Sequence, residues 1–167
     1  MIYAATANFT RPANTTAYAS GDEISNSVTA GDATPLVFSN LTNTSFGTGK
    51  ILKANIWTNV QGFNGDVRIF LFSEEPTMSG DNAPYEIKSV DAPHFLGFIG
   101  WTTSYLSPTG SEVSINVNAT AQQVIVSKGQ SGSNPIYGVL VANGAITPVE
   151  SQQFFVELFC EPYVTTN

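Results

Sequence analysis

Apolar and polar residues alternate with a period of two through the middle of this chain, and the alternation predicts strands. Between Lys50 and Phe72 it forms two arms. In the first, Leu52, Ala54, Ile56 and Thr58 alternate with Lys53, Asn55 and Trp57; in the second, Val67, Ile69 and Leu71 alternate with Arg68, Phe70 and Phe72. Successive side chains of a strand point to opposite faces, so a sheet surface demands this period. Gly62 and Asn64-Gly65 lie between the arms, and the spacing predicts an antiparallel hairpin. Apolar residues on both parities of the second arm predict a central strand covered on both faces.

Further strands are predicted at Leu36–Ser39, His94–Trp101, Val113–Val117, Gln123–Ser127, Ile136–Ala142 and Gln153–Glu161. Gly97 and Gly100 mark a bulge or a close backbone approach. The Ile136 segment is apolar almost throughout and is expected to be central. In the last segment Phe154, Val156, Leu158 and Cys160 oppose Phe155, Glu157 and Phe159. No stretch sustains a helical period. Regularly spaced strands between Gly, Pro and Asn turns predict an all-β, two-sheet antiparallel sandwich, and roughly eight strands with a long crossover loop make it jelly-roll-like.

Two regions break the pattern. Residues 1–31 are small, polar and turn-rich, with Ile2, Phe9, Tyr18 and Ile24 as isolated apolar anchors. They predict an extended N-terminal arm lying over the body of its own subunit or a neighbour, with 32–167 as the sandwich. From Ser73 to Pro93 there is no period, prolines recur, and Glu74, Glu75, Asp81, Glu86 and Asp91 concentrate negative charge. A loop this long in a compact domain is expected to be functional or to make contacts.

The chain has 167 residues, enough for one domain with its own core. Only 11% are charged, against about a quarter in ordinary proteins, and the net charge is −7. That balance argues against a nucleic-acid interface and against docking on an anionic membrane, since both would repel it. The single cysteine, Cys160, excludes an internal disulfide and a multi-cysteine zinc site. No opening apolar run resembles a secretion signal and no stretch approaches membrane-spanning length, so synthesis in a cytosol is expected. The sequons at Asn8, Asn14, Asn40, Asn43 and Asn118 are then chance products of an Asn/Thr-rich composition.

Candidate chemistry is sparse. His94 is the only histidine, with no Gly-x-Ser-x-Gly elbow to serve, and is expected to be a polar strand-start residue. Cys160 shares its parity with core positions and is expected to be a buried thiol. The acidic loop could hold a hard cation, but Asp81-Asn82 lacks the spacing of an EF-hand loop. Glu74 and Glu75 could serve as a glycosidase pair only across a cleft. Trp57, Phe63, Tyr85, Trp101 and Tyr105 could line a sugar-stacking platform; core or subunit-interface roles weigh more. No catalytic residue, cofactor or metal is predicted, and no enzymatic activity.

Three stretches carry a family resemblance. Phe9-Thr-Arg-Pro-Ala-Asn-Thr-Thr-Ala-Tyr-Ala-Ser-Gly-Asp22 resembles the RPA-x-TTAYA-x-GD opening of small structural proteins of tailed bacteriophages. Leu71–Ile87 resembles their LF-x-x-x-PT…DNAA segment, and Tyr137–Ala142 with Ile146–Leu158 resembles their closing strands. Ser20 and Pro84 depart from the pattern. The resemblance implies a virion component on the capsid exterior, specifically a decoration (cement) protein. Its implied partners are the major capsid protein and its own copies, as a homotrimer. Expected contact residues are Phe9, Arg11 and Tyr18 in the arm and Glu74, Glu75, Asp81 and Tyr85 in the loop. A glycan- or receptor-binding domain of a head or tail fibre is the alternative.

Overall fold

Which face of each strand is apolar decides which side of the core it takes. The computed structural model describes residues 2–41, 48–60, 63, 65–101, 117–118, 125–127 and 135–162. The strands are β1 (Tyr3–Thr10), β2 (Glu23–Ile24), β3 (Leu36–Phe38), β4 (Thr48–Thr58), β5 (Val67–Phe72), β6 (Phe95–Trp101), β7 (Val117–Asn118), β8 (Ile125–Ser127), β9 (Ile136–Ala142) and β10 (Gln153–Pro162). One sheet runs β1-β10-β4, with β7 and β8 both on the far side of β4. The other runs β6-β5-β9, with β2 and β3 both on β9. Every pairing is antiparallel. The pairs nest: β1 with β10, β2 and β3 with β9, β4 with β7 and β8, β5 with β6. A long hairpin wound over two sheets in this way is a jelly roll, and the predicted fold class holds.

The predicted hairpin between the two central arms does not form. β4 pairs with β10, β5 pairs with β9 and β6, and the two arms lie in opposite sheets. Each turns a mainly apolar face inward. Ala54 and Ile56 of one and Val67, Ile69 and Leu71 of the other belong to one buried cluster between the sheets. Period two fixes a strand's faces but not its partner, and the longer apolar strands β9 and β10 claim both arms. Between Phe159 and Cys160 the register with β4 shifts, skipping Leu52, so that Ile51 takes the core position expected for Leu52.

Trp101 closes the core, buried, its indole Nε1 donating to the Ala54 carbonyl across the sheets at 3.2 Å. Gly138 is required in β9, because a Cβ there would lie 2.6 Å from Ile69 Cδ1 and 3.0 Å from the Phe38 ring. Gly97 sits at the β5–β6 register shift with a φ of 134°, the expected bulge.

β5 and β9 are covered on both faces, as their composition predicts. Phe72, Val139 and Val141 turn away from the main core into a second buried cluster with Ala33 and Met78. Phe70, Phe95 and Tyr137 flank it, and Tyr85 and Ile87 pack on it from the 73–93 segment. That segment is therefore a lid over the outer face of the second sheet, ending in a 3-10 turn at Ala92–His94.

The first thirty residues are built into the sandwich. β1 pairs with β10 along its whole length, Tyr3 opposite Cys160 through Thr10 opposite Gln153, and β2 pairs with β9. A division of the chain at residue 31 does not describe this packing. The predicted strands Val113–Val117 and Gln123–Ser127 overlap β7 and β8; their other residues, with Tyr105 and Asn43, lie outside the described residues.

Candidate functional site

Where β1 ends, the chain turns and sends a charged side chain inward. Arg11 is anchored by its own N–H, which donates to the Gln152 carbonyl at 2.9 Å. Its Nη2 meets Asp81 Oδ2 at 2.9 Å, and neither side chain has any exposed surface. Nη1 donates to the carbonyls of Asn14 and Val149, each at 3.3 Å. Nε donates to the Tyr18 hydroxyl, and the guanidinium lies 4.8 Å from the centre of the Tyr18 ring. The Tyr18 hydroxyl in turn donates to Asp81 Oδ1 at 2.5 Å, an oxygen that also accepts from the Ser25 N–H at 3.1 Å. A buried ion pair is tolerated only when its remaining hydrogen-bonding capacity is met. Here it is, and the result is a closed polar clasp. Burial, reinforced by the bond to Asp81, pushes the Tyr18 phenol far above its ordinary range, so it stays a neutral donor.

Backbone geometry brings the parts together. Tyr18 and Ile146 exchange main-chain bonds at 2.9 and 3.3 Å, holding the first turn against the β9–β10 connection. Asp81 is seated by its own N–H to the Ser27 carbonyl at 2.6 Å. Beside the clasp, both carboxylate oxygens of fully buried Glu23 accept lid N–H groups, from Ser79 at 2.6 Å and Gly80 at 3.1 Å. Asn82, its amide oriented by its partners, donates to Asp22 Oδ2 at 3.2 Å and to the Ala17 carbonyl at 3.0 Å. Gln152 is buried and donates to Thr58 Oγ1 at 2.9 Å. The lid is thus fastened by two buried carboxylates, one on each side of its attachment.

Glu23 gives the clasp a pH signature. Burial raises its pKa in the folded chain, outweighing the N–H bonds from Ser79 and Gly80, whereas the unfolded chain has the ordinary 4.5. Protonation therefore favours the folded state. The cost of the buried charge is present above the raised folded value and disappears as pH falls through it towards 4.5. Melting temperatures of the parent and Glu23→Gln, followed downward from neutral pH, should diverge in the parent's favour through that window. A pH-independent difference would refute the assignment.

The predicted contact residues separate into three groups. Arg11, Tyr18 and Asp81 come together, but inside the chain, where they have no surface to offer a partner. This corrects the expectation: each charge found a mate in a remote segment, which made burial possible. Phe9 is half-buried on the inner face of β1, 5.7 Å from the Phe154 ring, and Tyr85 lies in the lid against Phe70 at the same distance. The Tyr85 hydroxyl is buried without a hydrogen-bond partner among the described residues. Only Glu74 and Glu75 remain exposed, Glu74 lying 3.5 Å from His94.

The other candidates disperse as well. Trp101 and Phe63 are core, and Trp57 lies on the outer face of the first sheet, stacked parallel on Phe155 at 5.4 Å. The named candidates form no shared platform among the described residues. Asp91 is buried and accepts from the Thr77 N–H at 3.1 Å, while Glu86 is exposed, so the acidic loop is divided between interior and surface. Among the described residues no three His, Cys, Asp or Glu side chains converge to hold a metal. Cys160 is fully buried, and burial pushes its thiol up to about 11.

Sequence reasoning missed Glu23, Ser25 and Gln152. One signal for the clasp was present: Arg11 is the sole charge between Met1 and Gly21, on an otherwise neutral stretch. No family model matches the chain, and no curated protein matches it. No helix among the described residues is long and apolar enough to cross a membrane.

Proposed function

We propose that this chain is a non-enzymatic structural protein of a tailed-phage virion, decorating the outside of the shell and stabilising it against disassembly. One observation supports the reading above the others. The three stretches that carry the phage resemblance are far apart in sequence, and they meet at the clasp: Arg11 and Tyr18 from the first, Asp81 from the second, the Val149 and Gln152 carbonyls from the third. The stretches that carry the likeness thus come together in one buried network, which supports reading them as parts of one folded unit.

The net charge of −7 suits the exterior of a shell better than its DNA-facing lining. A protein that binds the assembled lattice and not its dispersed subunits stabilises the lattice by mass action, and repeated attachment multiplies weak contacts. With Arg11, Tyr18 and Asp81 internal, the contact surface shifts to the exposed base of the lid at Glu74 and Glu75, where the segment leaves β5.

Immunogold labelling of virions with an antibody to this chain should decorate the head exterior; label confined to tails, or none on particles, would overturn the proposal. Reversing these two charges with Glu74→Lys and Glu75→Lys should lower occupancy on shells. The fold should stay within about 0.5 kcal/mol of the parent, as for ordinary surface substitutions.

A further inference from the structure

We propose that the open edge of the first sheet is a seam at which two copies of this chain join, β1 against β1, about a two-fold axis through Thr6. Among the described residues β1 pairs only with β10, which leaves alternate N–H and C=O groups of its other side facing outward. What satisfies such a row is another extended backbone.

Proteins ordinarily blunt a sheet edge with lysine, proline, a bulge or a covering segment. The other sheet is blunted in this way. β6 carries the Gly97 bulge, and β2 is covered by the lid through the Glu23 N–H to the Ala83 carbonyl and an Asp22–Pro84 bridge. Among the described residues β1 has no lysine, proline or bulge. Its sequence Tyr-Ala-Ala-Thr-Ala-Asn-Phe-Thr has no charge and no proline, and its register with β10 is unbroken.

The occupant follows from the register. A two-fold axis normal to a sheet keeps each face on its own side, so opposed residues must share parity and the axis must pass through a residue. With Ile2 the edge spans residues 2–10, and its midpoint is Thr6. On the outer face this register sets Thr6 opposite its own copy, Ala4 opposite Asn8, and Ile2 opposite Thr10. On the inner face it sets Ala5 opposite Ala7 and Tyr3 opposite Phe9. Threonine–threonine and aromatic pairs are favourable across strands. Ile2, 58% exposed in the single chain, gains cover. No like charges meet, although the chain as a whole carries −7. The seam rests on the fold alone, is independent of the virion reading, and is two-fold where the phage resemblance implies three-fold.

The test uses the full chain. Opposed Cα atoms in an antiparallel pair lie about 4.5–5.5 Å apart, within disulfide reach, and the native Cys160 is fully buried. Under mild oxidation Thr6→Cys should yield a covalent dimer as its main product, while Thr29→Cys, on an exposed loop, should not. Thr6→Lys sets two ammonium groups face to face. It should weaken dimerisation several-fold in sedimentation equilibrium while leaving the melting temperature of the dilute, monomeric chain unchanged. A parent chain that stays monomeric at ~100 μM, where even a weak interface is populated, would overturn the seam. So would a Thr6→Cys variant no more dimeric than the control, or an oligomer indifferent to Thr6→Lys.

Discussion

Arg11→Ala should destabilise the fold by about 3–5 kcal/mol, the range for removing one partner of a buried ion pair. The variant keeps Asp81 fully enclosed with its charge uncompensated, and frees the carbonyls of Asn14 and Val149 and the Tyr18 hydroxyl from the donors that satisfied them. Arg11→Lys should recover little of this. A lysine carries a point charge on a flexible stem, whereas the guanidinium serves five acceptors from a rigid plane and stacks on Tyr18. Chemical denaturation with the slope held equal measures the loss. Pairing Arg11→Met with Asp81→Met should cost less than the sum of the two single changes, because the double variant leaves no orphaned charge. A shift below ~0.5 kcal/mol in Arg11→Ala would mean that the clasp is decorative.

Removing residues 1–22 should abolish cooperative unfolding altogether. The loss includes an edge strand of eight residues, the Phe9 ring over Phe154, and both side-chain partners of Asp81 in the clasp. Ala7 and Tyr18 leave the main core with it. An orphaned buried carboxylate alone takes a large part of the roughly 5–15 kcal/mol that holds a domain of this size together. Calorimetry should show no transition. A truncated chain that melts near the parent temperature would restore the picture of a separable arm.

How much of this was legible depends on what each residue's surroundings needed. The faces of β5, β9 and β10 could be read directly, since Phe154, Val156 and Leu158 repeat at a strand's own period and their burial needs no distant partner to explain it. Partner choice could not: β4 and β5 looked like two arms of one hairpin, and each found a better mate near the other end of the chain. β1 was hidden by its alanines, which pair beside β10 but carry little strand preference. Arg11, Tyr18 and Asp81 were all singled out as important, but with the wrong role. Whether a charge is surface or interior here turns on a residue 70 positions away. Glu23 gave no sign at all, since its ligands are main-chain N–H groups, which every sequence has.

The nesting of the strands also sets the order in which the molecule can be completed. On a ribosome β1 emerges first of the described strands and its mate β10 last. Arg11 likewise waits for the Val149 and Gln152 carbonyls. Vectorial assembly therefore stops short of closure until the late strands arrive, and pairings this remote in sequence make folding slow. Until then an uncharged strand stays unpaired, which makes nascent chains the stage at which chaperone capture matters most.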